Sequence, residues 1–511
     1  MAVPRCIVAS RFLPSPAPAP FLLSLLCALA VVAGSSAAGD ALPLGPLGLS
    51  IDERLDQQVD PDVAYRVVVS SPVPVVPSPT LPPGLGVERA NNNLSIALHE
   101  GRLFLAFRTA PTHFASAKAR LIVLSSPDLG RTWAYETSFA TGRDLREPFL
   151  LEVNGRLRLT YAEMGDRIYA FEPHALWRSS RCGPGCWTAP EKWGGSEEVA
   201  WDFKVRGGRA WMTSYRGKRY EVQTRPIEIR FRTSIDGVDW KDVGPGPVYR
   251  GGATEASFEF DRQGALWAIT RNEDGDATGF GSHVASAEPT TPGVWRFPDR
   301  SNPSRFDSPR LFRHGRDIYL VARRDLGPPA GTRFEALGGE WRKLLVWVSY
   351  SLQPKRTALY RLDPVARRFE LVLDLPSAGD TAFPSVVRLS PDEFLVANYS
   401  SAFRHANRTW LWGQLNGTGI YFVRLRFERL ATNGRPDSPS GSVASAPAAG
   451  PVVAGVSPAV DLDEDWPARE NLPGRMAGVG AVSVGALVVV RRRRRLSQTG
   501  RPPRPPSTPA A

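Results

Sequence analysis

Cysteine is scarce in this chain, with four among 511 residues, and histidine is nearly as rare at six. Two of the cysteines, Cys6 and Cys27, lie in the apolar N-terminal stretch, which leaves Cys182 and Cys186 in Cys-Gly-Pro-Gly-Cys. Two thiols with no histidine pair beside them make a poor zinc site, so no metal is expected, and no cofactor either. In a secreted chain the pair reads as a small local disulfide. Acidic residues are missing from the C-terminal end, where residues 491–511 hold seven arginines and no Asp or Glu. Together with Arg5 and Arg11, these account for nine of the twelve excess positive charges, leaving the body nearly neutral. A groove that neutralises phosphates needs its charge on the folded domain, so nucleic acid is excluded as a partner.

Long apolar runs are limited to the two ends. Residues 21–32 form one, behind Arg5 and Arg11 and ahead of the small residues Ser36, Ala37 and Ala38. This is the pattern of a secretory signal over 1–38, with an uncleaved anchor as the alternative. The second run, 476–490, has 15 residues including Gly478, Gly480, Ser483 and Gly485. A membrane span takes roughly 20 apolar residues, so this one is marginal. If it inserts, the arginines at 491–495 hold the basic tail (491–511) inside and the body outside, as a single-pass protein. A sorting tail, or no insertion, are the alternatives. Residues 431–475, rich in Pro, Ser and Ala, form a linker. The triplets beginning at Asn93, Asn398, Asn407 and Asn416 match glycosylation sequons and fit secretion.

The body itself is well supplied for a core. Hydrophobic residues make up 42% and tryptophans number 14, which excludes wholesale disorder. The 46 glycines and 47 prolines indicate many turns and exclude a long helical bundle. Trp133, Trp187, Trp240 and Trp295 recur at 53–55 residues, each closing a polar, glycine-containing turn. In register with them, short β-rich runs open at Gly101, Gly155, Gly208, Gly264 and Gly315, with a looser copy from Pro391. Six copies imply sheets packed in a ring, an all-β six-bladed β-propeller over residues 65–430. Strand ends of such a ring converge on one axial mouth. Four of the runs end in Arg108, Arg216, Arg271 and Arg323, so a converging basic cluster suited to a carboxylate is expected there.

The turn Ser126-Pro-Asp-Leu-Gly-Arg-Thr-Trp133 matches the Asp-box (BNR) pattern S-x-D-x-G-x-T-W, and Ser234 to Trp240 is the same box one residue shorter. With the repeat, these turns resemble the sialidase (neuraminidase) superfamily over residues 85–430. Glu255 followed 16 residues later by Arg271 resembles the family's general base and carboxylate-binding arginine. The segment around Asp380 and Phe383 looks like the one that carries the nucleophile, and Arg143-Asp144-Leu-Arg146-Glu147-Pro148 resembles the inward blade-two turn of a divergent branch.

The resemblance implies a glycoside hydrolase acting on anionic glycans, a monomer, with no cofactor. Glu255 and either Asp144 or Glu147 are the acid/base candidates, and His113 is a further proton donor. Arg108, Arg146, Arg271 and Arg323 bind the anion, while Asp380 shapes the mouth. The chain departs from the pattern at three places. Phe383 stands where the nucleophilic Tyr is expected, Pro111-Thr112-His113 where the acid/base Asp falls, and Asn91-Asn92-Asn93 where the first arginine belongs. Phe has no oxygen to attack with, which leaves direct displacement by water, a sugar other than sialic acid, or a lectin-like propeller without turnover. For the tail, deleting 476–495 is expected to release membrane-bound protein into the medium, as read by fractionation; unchanged localisation contradicts an anchor.

Overall fold

The computed structural model describes residues 45–168, 172–218, 226–337 and 339–430; the expected leader (1–38), linker, apolar run and basic tail (431–511) lie outside them. Six antiparallel sheets follow one another along the chain. Blade one runs Ala90–His99, Arg102–Ala110, Arg120–Ser126, Ala134–Phe139. Blades two (from Leu145–Val153) and three (from Glu198–Arg206) have three long strands with short edge strands. Blade four has three strands, Thr254–Phe260, Leu266–Asp276 and Gly279–Ala287. Blade five begins with Asp307–His314 and Asp317–Asp325, and blade six contains Ser385–Ser390, Glu393–Ser400 and Gly419–Arg429.

Blade six is completed from the other end of the body. Tyr65–Val69 pairs antiparallel with Gly419–Arg429, Val67 opposite Phe427, so the ring is closed by backbone hydrogen bonds. The chain is therefore a six-bladed β-propeller, as the period of its turns implies.

The repeated glycines have a backbone reason. Gly101, Gly155, Gly208, Gly264 and Gly315 all sit at positive φ in the hairpin that joins the first strand of a blade to the second. The periodic tryptophans bind one blade to the one before it: Trp133 packs on Phe422 of blade six, Trp240 on Trp193, and Trp295 on Phe231. In the turn before Trp133, the Thr132 amide and hydroxyl both donate to Asp128 at 2.8 Å. These donors, the amide first, draw the exposed Asp128 carboxyl down to about 2. Cys182 and Cys186 are joined in a disulfide.

First strands of neighbouring blades meet around the axis and are linked by serine hydroxyls. The amides of Leu150, Ile96 and Leu311 donate to Ser95, Ser385 and Ser257 at 2.9–3.0 Å. Two of the sequons are closed by this packing. Asn93 is 4% exposed and Asn398 fully buried, with their amides spent on Glu147 and on Thr357 and Tyr421, so neither accepts a glycan in the folded body.

One end of the axis is sealed by helix α1 (Ile51–Asp56), which starts with a capping box at Ser50 and Glu53. Asp52 bridges Arg206 and Arg388 at 2.5 and 2.6 Å. Asp56 meets Arg388 and Arg313 at 2.8 and 2.9 Å and takes the Gly315 amide at 2.9 Å. Beneath α1, the C-terminal halves of the first strands enclose a cavity of about 770 Å³, lined by Lys204, Arg310 and Phe149 among others. Among the described residues no helix is long and apolar enough to cross a membrane.

Asp56 is 2% exposed, so removing its carboxylate strands buried guanidinium groups. Asp56→Ala is expected to cost about 3–5 kcal/mol in urea unfolding, against about 0.5 kcal/mol or less for the exposed Asp62→Ala. Equal effects would contradict the seal.

Candidate functional site at the axial mouth

The end of the axis opposite α1 is built from a repeated irregularity. In each of blades one to five a β-bulge interrupts the first strand near its start. Asn93, Glu147, Trp201 and Glu255 stand at these bulges, spaced 54 residues apart, and Ser308 follows 53 residues later. Asn93, Glu147, Glu255 and Ser308 all hold positive φ, between 42° and 53°. Non-glycine residues in that region are strained, and such bulges re-aim side chains beside functional sites. Neighbouring bulges are tied together. Asn93 Nδ2 donates to Glu147 Oε2 at 3.1 Å, and the Ser308 amide donates to Glu255 Oε2 at 2.9 Å. Trp201 meets Phe383 edge-on, ring centroids 5.4 Å apart, giving the mouth an apolar floor.

Arginines surround one aspartate. Asp307 is fully buried. Arg305 Nη2 lies 2.7 Å from its Oδ2, Arg271 Nε 3.2 Å and Arg323 Nη1 3.8 Å. Burial alone would raise the Asp307 carboxyl, but Arg271, Arg305 and Arg323 outweigh it and hold it well below the usual range. Arg271 also contacts Glu255 at 2.5 Å and Glu273 at 2.6 Å, and Arg323 donates to the carbonyls of Thr381 and Ala382. Lys355, fully buried and pushed by burial down to about 8, pairs with Asp325 at 2.5 Å.

Two helices cover this cluster. From α2 (Gly339–Ser351), Lys343 reaches Asp274 at 3.0 Å and the Tyr350 ring lies 3.6 Å under Arg305. From α3 (Trp410–Leu415), the Trp410 indole donates to Asp380 at 2.8 Å and its ring faces Arg323. A side chain at Gly413 would collide with the Asp380 backbone, its Cβ 2.1 Å from that amide nitrogen.

The expected basic cluster is thus re-drawn. Arg271 and Arg323 do converge, but the third arginine is Arg305, not Arg108, and Arg216 is exposed at its strand end. Arg108 is fully buried and donates to Asp144 at 2.8 Å, to Asn92, and to the carbonyls of Thr112 and Phe114. Arg146 bonds the other Asp144 oxygen at 2.5 Å and the His113 carbonyl. These two arginines therefore hold the loop that presents His113. Asp144 is wholly enclosed between them, and Glu147 stands at the bulge of blade two.

His113 Nδ1 lies 2.6 Å from Asp380 Oδ2. Asp380 also accepts from Tyr399 at 3.0 Å, and burial, which would raise its carboxyl, is outweighed by His113, Arg323 and Tyr399. Burial lowers the His113 imidazole in spite of Asp380. No group of His, Cys, Asp or Glu among the described residues could hold a metal ion. Arg305, Asp307, Asn93 and Tyr350 were not anticipated from the sequence. The 54-residue spacing of Asn93, Glu147, Trp201 and Glu255 was the available signal for the bulges.

The chain is a six-bladed propeller whose axial mouth carries two glutamates, an Asp-held histidine and a closed arginine cluster. No family profile matches the chain, and no curated protein does. Among solved structures it is similar to a protein of unknown function from Dyadobacter fermentans DSM 18053, at 15% identity and TM-score 0.48, covering 71% of this chain and 99% of that one. It is similar to the phage phi92 endosialidase at 9% identity and TM-score 0.44, covering 75% and 72%. A Trypanosoma rangeli sialidase in complex with sialic acid shows 13% identity and TM-score 0.42, covering 72% of this chain; the chain spans 59% of that protein.

Burial holds the imidazoles of His113, His283 and His314 below their ordinary value. The unfolded chain then takes up protons first as the pH falls, so these sites destabilise the fold progressively below about pH 6.5. Asp307, depressed instead, keeps its contribution until the pH falls below about 4. The melting temperature is expected to fall between pH 7 and 5, and less steeply in His314→Gln. A flat profile contradicts the burial of these rings.

Proposed function

We propose that the chain is a glycoside hydrolase working outside the cell, with Glu147 and Glu255 as its pair of acid/base carboxyl groups. The observation that carries this reading is their shared position: both stand at strained bulges of first strands, in blades two and four, on either side of Trp201. Two carboxyl groups flanking a glycosidic bond supply what hydrolysis needs. Glu255 accepts from the Arg271 guanidinium and the Ser308 amide, donors that address a carboxylate, and suits the base. The acid is then assigned to the other bulge carboxyl group, Glu147. The acid protonates the leaving oxygen as its bond to the anomeric carbon breaks. The base takes a proton from the water that attacks that carbon.

A tyrosine nucleophile has no support. Phe383 meets Trp201 edge-on, and the hydroxyls of Tyr350 and Tyr399 are raised well above the ordinary value by burial, then by Asp307 and Asp380 respectively. That same absence favours a second reading, a lectin-like propeller that binds glycan without turning it over.

Assay on a panel of aryl glycosides separates the two. Glu147→Gln and Glu255→Gln are each expected to lower kcat by about 10²–10⁴-fold, with Glu255→Gln also melting lower because its carboxylate pairs the buried Arg271. Wild-type protein that binds glycans yet hydrolyses none of the panel supports the lectin.

A further inference from the structure

The arginine cluster at the mouth has the composition of a carboxylate clamp, yet it is already filled. Arg271, Arg305 and Arg323 come from blade four, the segment joining blades four and five, and blade five, and all three address Asp307. Around them the charges balance: Arg271, Arg305, Arg323 and Lys355 against Glu255, Glu273, Asp307 and Asp325. Every one of these groups is nine-tenths buried or more. A further carboxylate brought into this cluster would have no cation of its own, and an unpaired charge in such surroundings is heavily penalised.

Two bulge residues carry uncharged polar atoms that the protein leaves without a hydrogen bond. Trp201 Nε1, a donor, and Asn93 Oδ1, an acceptor, are buried and have no hydrogen-bond partner among the described residues. Both belong to bulge residues, flanking Glu147 in the 54-residue series. One is a donor and the other an acceptor, so neither adds a charge that would offset a substrate carboxylate.

We propose that Asp307 stands in for a substrate carboxylate, so that the mouth takes an uncharged, hydroxyl-rich sugar in place of the anionic glycan that the sialidase resemblance implies. Phe383 fits the same specificity. A tyrosine nucleophile serves where a substrate carboxylate would repel a carboxylate nucleophile, and an uncharged sugar removes that need. Asp307 is the specificity-determining residue, acting through the three arginines. The substrate class rests on the glycosidase reading above; the filling of the clamp does not.

The test is a thermal-shift titration with sodium acetate against matched sodium chloride, on wild type, Asp307→Ala and Asp307→Asn. Wild type is expected to show no acetate-specific shift. Asp307→Ala, which opens a carboxylate-sized gap among three arginines, should melt lower and be restored saturably by acetate but not by chloride. Asp307→Asn, which fills the gap with a neutral group, should not respond. A saturable acetate shift in wild type, or a folded Asp307→Ala that ignores acetate, overturns the proposal.

Should Asp307→Ala fail to fold, wild type still decides. Calorimetry with glucose against glucuronate, and galactose against galacturonate, is expected to favour the uncharged partner by about a hundredfold; tighter binding of either acid overturns it. If wild type binds no sugar, the glycosidase reading falls, while the acetate comparison still reports on Asp307.

Discussion

A charge withdrawn from water has to be met by an opposite charge, and the axis of this propeller is organised around that requirement. Its first strands carry an unusual load of ionisable residues, nearly all buried. At one end the answer is α1, whose Asp52 and Asp56 are shared among Arg206, Arg313 and Arg388. At the other it is Asp307, shared among three arginines. Between the ends, Asp202 is held by Arg310, Lys204 and the Ser257 hydroxyl. Burial of this kind is a weak source of net stability, because desolvation offsets much of the attraction. It fixes geometry instead: no blade can shift without stranding a charge on its neighbour.

That rigidity is what lets strained backbone persist at the mouth. A positive φ at Glu147 or Glu255 has a conformational cost, and the surrounding contacts must over-determine it. For Glu255 these contacts are Arg271 and the Ser308 amide. For Glu147 they include Asn93, itself at positive φ. The helices α2 and α3 complete the enclosure, Tyr350 and Trp410 meeting edge-on at 5.3 Å. The buried arginines near the mouth thus divide into two groups. Arg108 and Arg146 support the His113 loop, and Arg271, Arg305 and Arg323 neutralise carboxylates.

The fold was legible in the sequence because its determinants are local and repeat. Glycines at positive φ recur in five blades and tryptophans that dock on the preceding blade in three, and no long-range information is needed to see the repeat. The site was legible only in part. Arg271 could be picked out from its phase in the repeat, and Glu255 and Glu147 from the resemblance of their segments to the sialidase superfamily. Arg305 lies just before blade five and Asp307 opens its first strand, both outside the series that marked the other arginines, so their meeting with Arg271 and Arg323 depends on ring geometry. Arg108 shares its phase with Arg271, yet burial against Asp144 gives it a different task. Phase in a repeat places a residue near the axis; the partners it finds there decide what it does. The closed sequons at Asn93 and Asn398 carry the same lesson, since a triplet does not record burial.

The claim most in need of direct observation is that Glu147 and Glu255 flank the bond to be broken. Crystals of the Glu255→Gln variant grown with an intact neutral oligosaccharide would report on it. The expected result is a sugar at the bulge end of the axis, with a glycosidic oxygen within hydrogen-bonding distance of Glu147 and the anomeric carbon facing residue 255. An oligosaccharide bound only in the cavity beneath α1, or on the outer face of a blade, would contradict it.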